Sequence, residues 1–227
     1  MNEIFRILEK KLIVSCQAEG ISPFNNPEGI LMFAKAAVLG GAAGIRSEGI
    51  EKTQNIINNI NVPVIGLVKN TFEDGYVRIT GSFKEVEQLL SINCPIIAVD
   101  GTIREREGLQ GHQFISELKK RYKCLIMADI STYNEGVLCA QNGADCVSTT
   151  LSGYTPYTQN KKTNEPDYAL VYELAKSINI PLFAEGRINT PEFANKVINA
   201  GAYAIVVGSA ITRPTLITEW FVKAITL

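Results

Sequence analysis

Residues 181–208 read PLFAEGRINTPEFANKVINAGAYAIVVG, and this stretch contains one complete unit of the fold. Its two ends, PLFAE and AIVVG, are short and apolar, which is typical of strands that are covered on both faces. Between them, four apolar residues repeat with the period of a helix and share one face: Phe193, Ala194, Val197 and Ile198. Gly201 follows, and glycine readily adopts the left-handed conformation that ends helices. The stretch therefore predicts a strand, a helix and a second, parallel strand.

The same alternation runs along the whole chain. The predicted strands begin near Leu12 (LIVSCQ), Gly44 (GIRS), Val64 (VIGLVK), Ile96 (IIAVD), Cys124 (CLIMAD), Cys146 (CVSTT), Pro181 (PLFAE) and Ala204 (AIVVG). Repeated β–α units allow either a closed barrel or an open, doubly wound sheet. The sequence after the first strand is not the G-x-G-x-x-G motif of a dinucleotide-binding sheet, and there is no Walker loop. The eight units therefore predict an α/β fold, a single (β/α)₈ TIM barrel over residues 1–227 with a short N-terminal helix.

The composition limits the classes of partner. The 227 residues carry a formal net charge of −1, so no global basic field predicts nucleic acid or an anionic membrane as a partner. The five cysteines are odd in number and form no C-x-x-C motif, which is typical of reduced thiols in a cytoplasmic protein. No stretch reaches the roughly 18 apolar residues that a membrane-spanning helix needs. We expect a soluble protein of the cytoplasm.

Polar residues stand at the carboxyl ends of the predicted strands, where barrel enzymes carry their active sites. In chain order they are Gln17, Arg46, Lys69, Asp100, Asp129, Thr149 with Thr150, Glu185, and Gly208 with Ser209. Charges this close to a core are costly unless they are paired or used. Three longer connections, 70–80, 101–111 and 153–166, also follow strands and are candidate lids or substrate loops.

Lys69 ends the third predicted strand and Glu185 ends the seventh. In a ring of eight strands these two lie opposite each other, so both side chains can reach a ligand over the barrel axis. A lysine that faces a carboxylate suits proton transfer to and from a substrate. Two other interpretations stay open, a structural ion pair across the barrel mouth and a lysine that forms a Schiff base.

The segments after the last two predicted strands indicate a phosphate site. They read EGRIN and GSAITRP, and in many barrels these two loops bind phosphate together with the N-terminus of a short helix. Gly186 and Gly208, the latter followed by Ser209, let backbone amides approach a phosphate closely. Arg187 and Arg213 can add charge-assisted hydrogen bonds.

The sequence offers little for a metal site. His112 is the single histidine, which argues against a multi-histidine metal centre and against a catalytic triad. Asp100 and Asp129 are expected to accept hydroxyl groups of the substrate or to pair with Arg46 and Lys69. We therefore expect no metal.

Seven stretches resemble the N-acetylmannosamine-6-phosphate 2-epimerase family: IVSCQA (13–18), GIRSEG (44–49), VIGLVK (64–69), MADIST (127–132), DCVSTTLSGYTPYT (145–158), EGRINTPE (185–192) and VVGSAITRP (206–214). They run in order from the first strand to the last helix and so cover nearly the whole chain. The block STTLSGYTPY is long and unusual, which makes coincidence a poor explanation. Segments 70–80, 104–109 and 159–166 depart from the family pattern.

The resemblance implies a cytosolic barrel enzyme of amino-sugar and sialic acid breakdown. Such an enzyme would interconvert N-acetylmannosamine 6-phosphate and N-acetylglucosamine 6-phosphate without a cofactor. The family's catalytic lysine and glutamate match Lys69 and Glu185. Its substrate-binding residues match Gln17, Arg46 and Asp129, and its phosphate-binding residues match Gly186, Arg187, Gly208 and Arg213. Thr149, at a strand end in the block 145–158, is also expected to bind substrate.

Two rival functions stay open. A Schiff-base aldolase of a phosphorylated substrate would use Lys69 at the same strand end. A non-catalytic sensor of sugar phosphates would need Arg187 and Arg213 but not Lys69 with Glu185. A metal-dependent pentose-phosphate epimerase is disfavoured because the histidines that it would need are missing.

The last predicted helix, 214–227, carries more apolar residues than one outer helix needs: Leu216, Ile217, Trp220, Phe221 and Ile225. Packing against the barrel wall is one explanation for them. We expect instead a homodimer formed through this C-terminal helix.

Overall fold

The computed structural model describes residues 2–161 and 163–226, so Met1, Lys162 and Leu227 lie outside it. Its strands are β1 (Leu12–Cys16), β2 (Gly44–Glu48), β3 (Val64–Leu67), β4 (Lys69–Thr71), β5 (Val77–Ile79), β6 (Ile96–Asp100), β7 (Leu125–Asp129), β8 (Cys146–Ser148), β9 (Leu182–Glu185) and β10 (Ala204–Val207). β4 and β5 form a hairpin, and the other eight strands close into a parallel barrel in which β10 pairs with β1. The predicted (β/α)₈ barrel is confirmed. That residues 1–227 form one domain stays a prediction.

Helices alternate with the barrel strands. They are α1 (Glu3–Leu8), α2 (Pro27–Leu39), α3 (Ile50–Asn59), α4 (Phe83–Ser91), α5 (Gly111–Arg121), α6 (Tyr133–Gln141), α7 (Tyr168–Ser177), α8 (Pro191–Asn199), α9 (Ser209–Thr212) and α10 (Pro214–Ile225). The expected N-terminal helix is α1. Ser82 caps α4 and Thr132 caps α6, each in a reciprocal capping box with the glutamate three residues later. These local signals explain why the helices begin where they do.

Apolar side chains cover both faces of the barrel strands. Ile65 and Leu67 of β3 belong to the same buried cluster as Phe183 of β9. Gly66 faces the opposite way, and a Cβ atom there would lie only 2.5 Å from Cys94 Sγ. The alternation along one strand thus fills the interior and lets the outer layer of helices approach closely.

The parallel register brings the strand ends to one rim. Asp100 lies opposite Asp129 on the neighbouring strand, and Asp129 lies opposite Ser148 on the next. β3 and β9 are four strands apart in the ring. The residues at their carboxyl ends therefore face each other across the barrel mouth.

The segment after β3 corrects one expectation, because Lys69 does not end the third barrel strand. That strand ends at Leu67, and Lys69 begins β4, where it pairs with Ile79 of β5. The amide of Thr80 donates to the carbonyl of Val68 at 2.7 Å and so joins the hairpin to the strand end. Lys69 is therefore held at the base of a hairpin on the rim.

The last helix, α10, has no buried residue. Phe221 is 70% exposed and Ile225 is 82% exposed. The short α9 before it is attached to the barrel, since Thr212 Oγ1 donates to the Ser15 carbonyl at 2.7 Å. Within the described part of the chain, Phe221, Val222 and Ile225 of α10 are thus largely uncovered, whereas Leu216, Ile217 and Trp220 are partly buried. Within residues 2–161 and 163–226, no helix is long and apolar enough to cross a membrane.

Candidate active site

A cavity of about 780 Å³ opens at the carboxyl rim of the barrel. Nine of the eleven residues predicted for the site line it: Gln17, Arg46, Lys69, Glu185, Gly186, Arg187, Gly208, Ser209 and Arg213. The other two, Asp129 and Thr149, are buried and do not line it. A volume of this size is ordinary for a small-molecule site. The geometry brings the predicted catalytic pair and the predicted phosphate residues to one cavity.

Arg46 is the most deeply buried charge of this cavity, with 1% of its surface exposed. Its Nη1 and Nη2 atoms donate to the two oxygens of Asp129 at 3.1 and 2.5 Å. Nη1 also lies 3.3 Å from Oε2 of Glu185, whose side chain is 13% exposed. Among these three residues one guanidinium serves two carboxyl groups. Asp129 does not line the cavity itself, but its two hydrogen bonds fix the orientation of Arg46, which does.

Thr150 connects the two carboxyl groups. Its Oγ1 lies 2.8 Å from Asp129 Oδ1 and 3.0 Å from Glu185 Oε2. A hydroxyl group has a single proton to donate, so it cannot donate to both oxygens at once. Whichever carboxyl group receives that proton is stabilised in its ionised form, which lowers its pKa. The two carboxyl groups therefore compete for one hydroxyl donor.

Burial raises the pKa of Glu185, and the negative charge of Asp129 adds to the rise, whereas Arg46 and the Thr150 hydroxyl oppose it. Burial acts in the same direction on the pKa of Asp129, but Arg46 opposes it there through two hydrogen bonds. Glu185 is consequently the carboxyl group that gains a proton more readily. It can serve as a proton donor in the cavity.

Lys69 and Glu185 line the cavity from opposite sides, as the ring order predicted. The Lys69 side chain is 29% exposed, and its Nζ contacts Oε1 of Glu19 at 2.7 Å. Glu185 pairs with Arg46 instead. The two predicted catalytic residues are thus held by different partners, and the space between them is open to a ligand.

The loop after β9 is held in an unusual backbone conformation. Gly186 has a φ of +105° and Arg187 a φ of +59°. The Arg187 guanidinium donates to the carbonyls of Ser152 and Glu165, each at 2.7 Å. These bonds compensate for a conformation that is costly at a residue other than glycine. They also fix a positive charge on the cavity wall.

The segment after β10 supplies the other predicted phosphate residues. Gly208 precedes the first residue of α9, and both Gly208 and Ser209 line the cavity. Arg213 follows α9, and its Nη2 lies 3.0 Å from Oε1 of Glu19. Residues of the two last loops, including two arginines, therefore line the same cavity.

Asp100 corrects a second expectation. Asp129 does pair with Arg46, but Asp100 pairs with neither Arg46 nor Lys69. It accepts instead from Arg104 at 2.6 Å and from Arg106 at 2.9 Å. Both arginines are in the segment for which the sequence offered no family pattern. The sequence did contain a signal for this pairing, because Asp100, Arg104 and Arg106 lie within seven residues of the chain.

Further residues line the cavity that sequence reasoning did not assign to it, including Ser15 and Glu19. Thr150, which the sequence placed at a strand end, lines it as well. Ser15 Oγ accepts from Gln17 Nε2 at 2.9 Å. Their spacing of two residues on β1 and its end was a signal that both point to the same face. Glu19 carries no such signal, because it lies outside any strand or helix.

Cys16 lies in the chain between two residues that line the cavity, Ser15 and Gln17. Burial raises the pKa of the Cys16 thiol to about 12, so this cysteine is a poor nucleophile. Across residues 2–161 and 163–226, no group of three or more His, Cys, Asp or Glu side chains is arranged to hold a metal ion.

Comparison with known sequences relates the chain to one family. The sequence model described as "Putative N-acetylmannosamine-6-phosphate epimerase" matches residues 30–227. A relative from Clostridioides difficile (strain 630) is 47% identical over 215 residues, which cover 95% of this chain and 96% of the relative. Another from Caldanaerobacter subterraneus subsp. tengcongensis is 45% identical over 225 residues, which cover 98% and 94%. Both carry the name "Putative N-acetylmannosamine-6-phosphate 2-epimerase".

Solved structures agree with this relationship. The N-acetylmannosamine-6-phosphate 2-epimerase from Clostridium perfringens superposes with a TM-score of 0.91 at 41% identity, covering 99% of this chain and 97% of that one. A thiamine phosphate pyrophosphorylase from Pyrococcus furiosus superposes with a TM-score of 0.62 at 15% identity, which reflects the shared fold alone. Sequence, fold and rim motifs agree, and the chain belongs to the N-acetylmannosamine-6-phosphate epimerase family.

Proposed function

We propose that this protein is an isomerase that interconverts N-acetylmannosamine 6-phosphate and N-acetylglucosamine 6-phosphate. One observation carries the proposal: Lys69 and Glu185, on opposite sides of the barrel, line the same cavity as Arg187 and Arg213. A base, an acid and an anchor for a phosphate are the minimum parts for this reaction. Membership of the family and the names of its relatives support the choice of substrate.

The reaction inverts carbon 2 of a 2-acetamido sugar. Once the ring is open, the proton on carbon 2 is acidic because it lies next to the carbonyl at carbon 1. Lys69 removes this proton and leaves an enolate-like intermediate, which is then reprotonated on the other face. Glu185, whose raised pKa favours the acid form, assists ring opening and the return of a proton.

Around this pair, the other predicted residues bind the substrate. Gln17 and Arg46 line the cavity and so can contact the sugar directly. Asp129 acts through Arg46, which it orients. Thr149 acts through Glu185, because its hydroxyl group bonds to the backbone carbonyl and amide of that residue at 2.9 and 3.1 Å.

The phosphate binds on the side formed by the last two loops. Gly186, Gly208 and Ser209 offer backbone amides there, and Arg187 and Arg213 offer guanidinium groups. This chemistry requires no metal and no organic cofactor. A location in the cytoplasm and a place in sialic acid breakdown are part of the same proposal, since they follow from the substrate.

The homodimer is proposed on the exposure of α10. The free energy of burying apolar surface favours covering side chains such as Phe221 and Ile225. A second copy that offers the same helix would cover both surfaces at once, as two-fold symmetric dimers do.

Proton NMR of the protein with N-acetylmannosamine 6-phosphate in D₂O tests the reaction. We expect N-acetylglucosamine 6-phosphate with deuterium at carbon 2, and we expect Lys69→Ala to lose this turnover. Lys52→Ala is the matched control, because Lys52 also lines the cavity and also pairs with a glutamate, Glu48, at 3.2 Å. Turnover in Lys69→Ala equal to that in Lys52→Ala would exclude Lys69 as the base.

The rival functions give different results in the same samples. A Schiff-base aldolase would cleave the substrate, and borohydride would trap an adduct on Lys69. A sensor would bind the sugar phosphate without turnover. Either result would overturn the epimerase proposal.

A further inference from the structure

Glu19 joins the two halves of the candidate site. It lies in the segment between β1 and α2, and its side chain is 55% exposed at the cavity lining. Its Oε1 atom contacts Lys69 Nζ at 2.7 Å and Arg213 Nη2 at 3.0 Å. One carboxylate oxygen therefore links the proposed base to the proposed phosphate residue.

The electrostatic setting keeps Glu19 ionised. Partial burial acts to raise its pKa, but hydrogen bonds and charge from Lys69 and Arg213 outweigh that effect and lower the pKa of Glu19. A carboxylate in contact with two cations resembles one edge of a phosphate group in charge and in hydrogen-bond acceptors. Glu19 can thus compete with a phosphate group for Arg213.

We propose that Glu19 is a positioning residue which the substrate phosphate displaces from Arg213, and that this displacement releases the amine of Lys69. The inference rests on the proposed function, since it takes Arg213 to bind phosphate and Lys69 to be the base. Glu19 competes with the phosphate in the free site. Binding of the phosphate then frees the Lys69 side chain to reach carbon 2 of the sugar.

The charges of the two competing groups explain why the phosphate displaces Glu19 from Arg213 and not the reverse. A phosphate monoester brings close to two negative charges, whereas Glu19 brings one, so the ester is the stronger partner for Arg213. Because one oxygen of Glu19 contacts both Arg213 and Lys69, its displacement from Arg213 also frees the Lys69 amine, and only when substrate is present. No covalent bond changes in this step.

The contacts of Glu19 are suited to exchange rather than to holding the fold together. Its two partners are partly exposed, at 29% for the Lys69 side chain and 35% for Arg213, so water can solvate both when Glu19 leaves. Exposed ion pairs contribute little to stability. The adjacent Gly20 has a φ of +57°, and a Cβ atom added there would meet no heavy atom within 4 Å, so there is open space beside this turn.

Binding of inorganic phosphate to Glu19→Gln, measured by calorimetry, tests the proposal. Glutamine keeps the size of the side chain but removes its charge, so the competitor for Arg213 is weakened. We expect phosphate to bind about threefold to tenfold more tightly than to the unchanged protein. The KM for the sugar phosphate should fall by a similar factor while kcat stays within about twofold.

Glu48→Gln is the matched control. Glu48 also lines the cavity, but it pairs with Lys52 and not with Lys69 or Arg213. It reports how much any lost negative charge near the cavity strengthens phosphate binding. Equal gains in Glu19→Gln and Glu48→Gln would overturn the proposal, and so would weaker phosphate binding together with a fall in kcat.

Arg213→Ala separates this inference from the function on which it rests. If Arg213→Ala leaves the affinity for phosphate unchanged, the assignment of the phosphate site is wrong and the proposal falls with it. If Arg213→Ala loses the affinity while Glu19→Gln shows no gain, only the role of Glu19 is overturned. A protein without turnover in D₂O would instead overturn the epimerase reaction itself.

Discussion

Arg46 and Asp129 form a buried ion pair at the base of the cavity, joined by hydrogen bonds of 3.1 and 2.5 Å. Their strands, β2 and β7, lie in different parts of the ring, so the pair crosses the barrel interior. Neither residue has more than 1% of its side chain exposed. Of the two carboxyl groups near Arg46, Glu185 is therefore the less strongly compensated.

Asp129→Asn is expected to lower the free energy of unfolding by about 3 kcal/mol, because Arg46 loses its main counter-charge in a buried site. Glu185 would then be the carboxyl group that remains to pair with Arg46, and this pairing lowers the pKa of Glu185. A smaller fraction of Glu185 would then carry the proton that it has to donate. We expect a lower kcat as a result. Urea unfolding and the rate of conversion measure the two effects.

Asp145→Asn is the control for that change, since Asp145 forms a partly exposed pair with Lys119 at 2.8 Å. It should cost about 1 kcal/mol or less. Equal losses of stability in the two variants would show that the buried pair has no special role.

Glu185→Gln is expected to lower kcat by about 10² to 10⁴-fold, the usual contribution of a general acid or base. Glutamine keeps the shape and can still contact Arg46 and Thr150, so the fold and the KM should change little. The rate of conversion and a thermal melt test this. A kcat close to that of the unchanged protein would remove Glu185 from the catalytic pair.

The pH dependence of kcat/KM should show a fall on the alkaline side that belongs to Glu185. This group acts in its protonated form, and burial raises its pKa above the ordinary value for glutamate of about 4.3. The Thr150 hydroxyl group lowers that pKa. Thr150→Val should therefore raise the pKa further and move the alkaline fall to higher pH.

Thr149→Val is the matched control for the pH profile. Its hydroxyl group bonds to the backbone of Glu185 and not to the carboxyl group, so it should leave the position of the alkaline fall unchanged. A shift to lower pH in Thr150→Val would contradict the assignment.

Phe221→Glu is expected to convert the proposed homodimer to a monomer, because it places a charge on the apolar surface of α10. Size-exclusion chromatography with light scattering measures the mass directly. Leu39→Glu is the control, since Leu39 is a large apolar residue that is 89% exposed elsewhere, at the end of α2. A monomeric unchanged protein would refute the dimer, and dissociation by both variants would refute its location.

The sequence by itself determined the barrel and most of the rim. Apolar runs of strand length alternating with helical periods are local properties of the chain, and eight of them leave few ways to bury both faces of each strand. Residues at strand ends were predictable for the same reason. Arg46, Lys69 and Glu185 stand where the apolar pattern stops, and parallel strands bring such positions to one rim.

Only the tertiary structure decided which side chains these residues pair with. Asp100 and Asp129 look alike in the sequence, yet Asp129 pairs with Arg46, whereas Asp100 pairs with two arginines from its own connection. Lys69 begins a hairpin and contacts Glu19, which is 50 residues away in the chain. Partner choice depends on distances of a few ångströms between side chains that meet only after the ring closes. Periodicity along the chain carries no information about those distances, and this is the physical limit of prediction from the sequence.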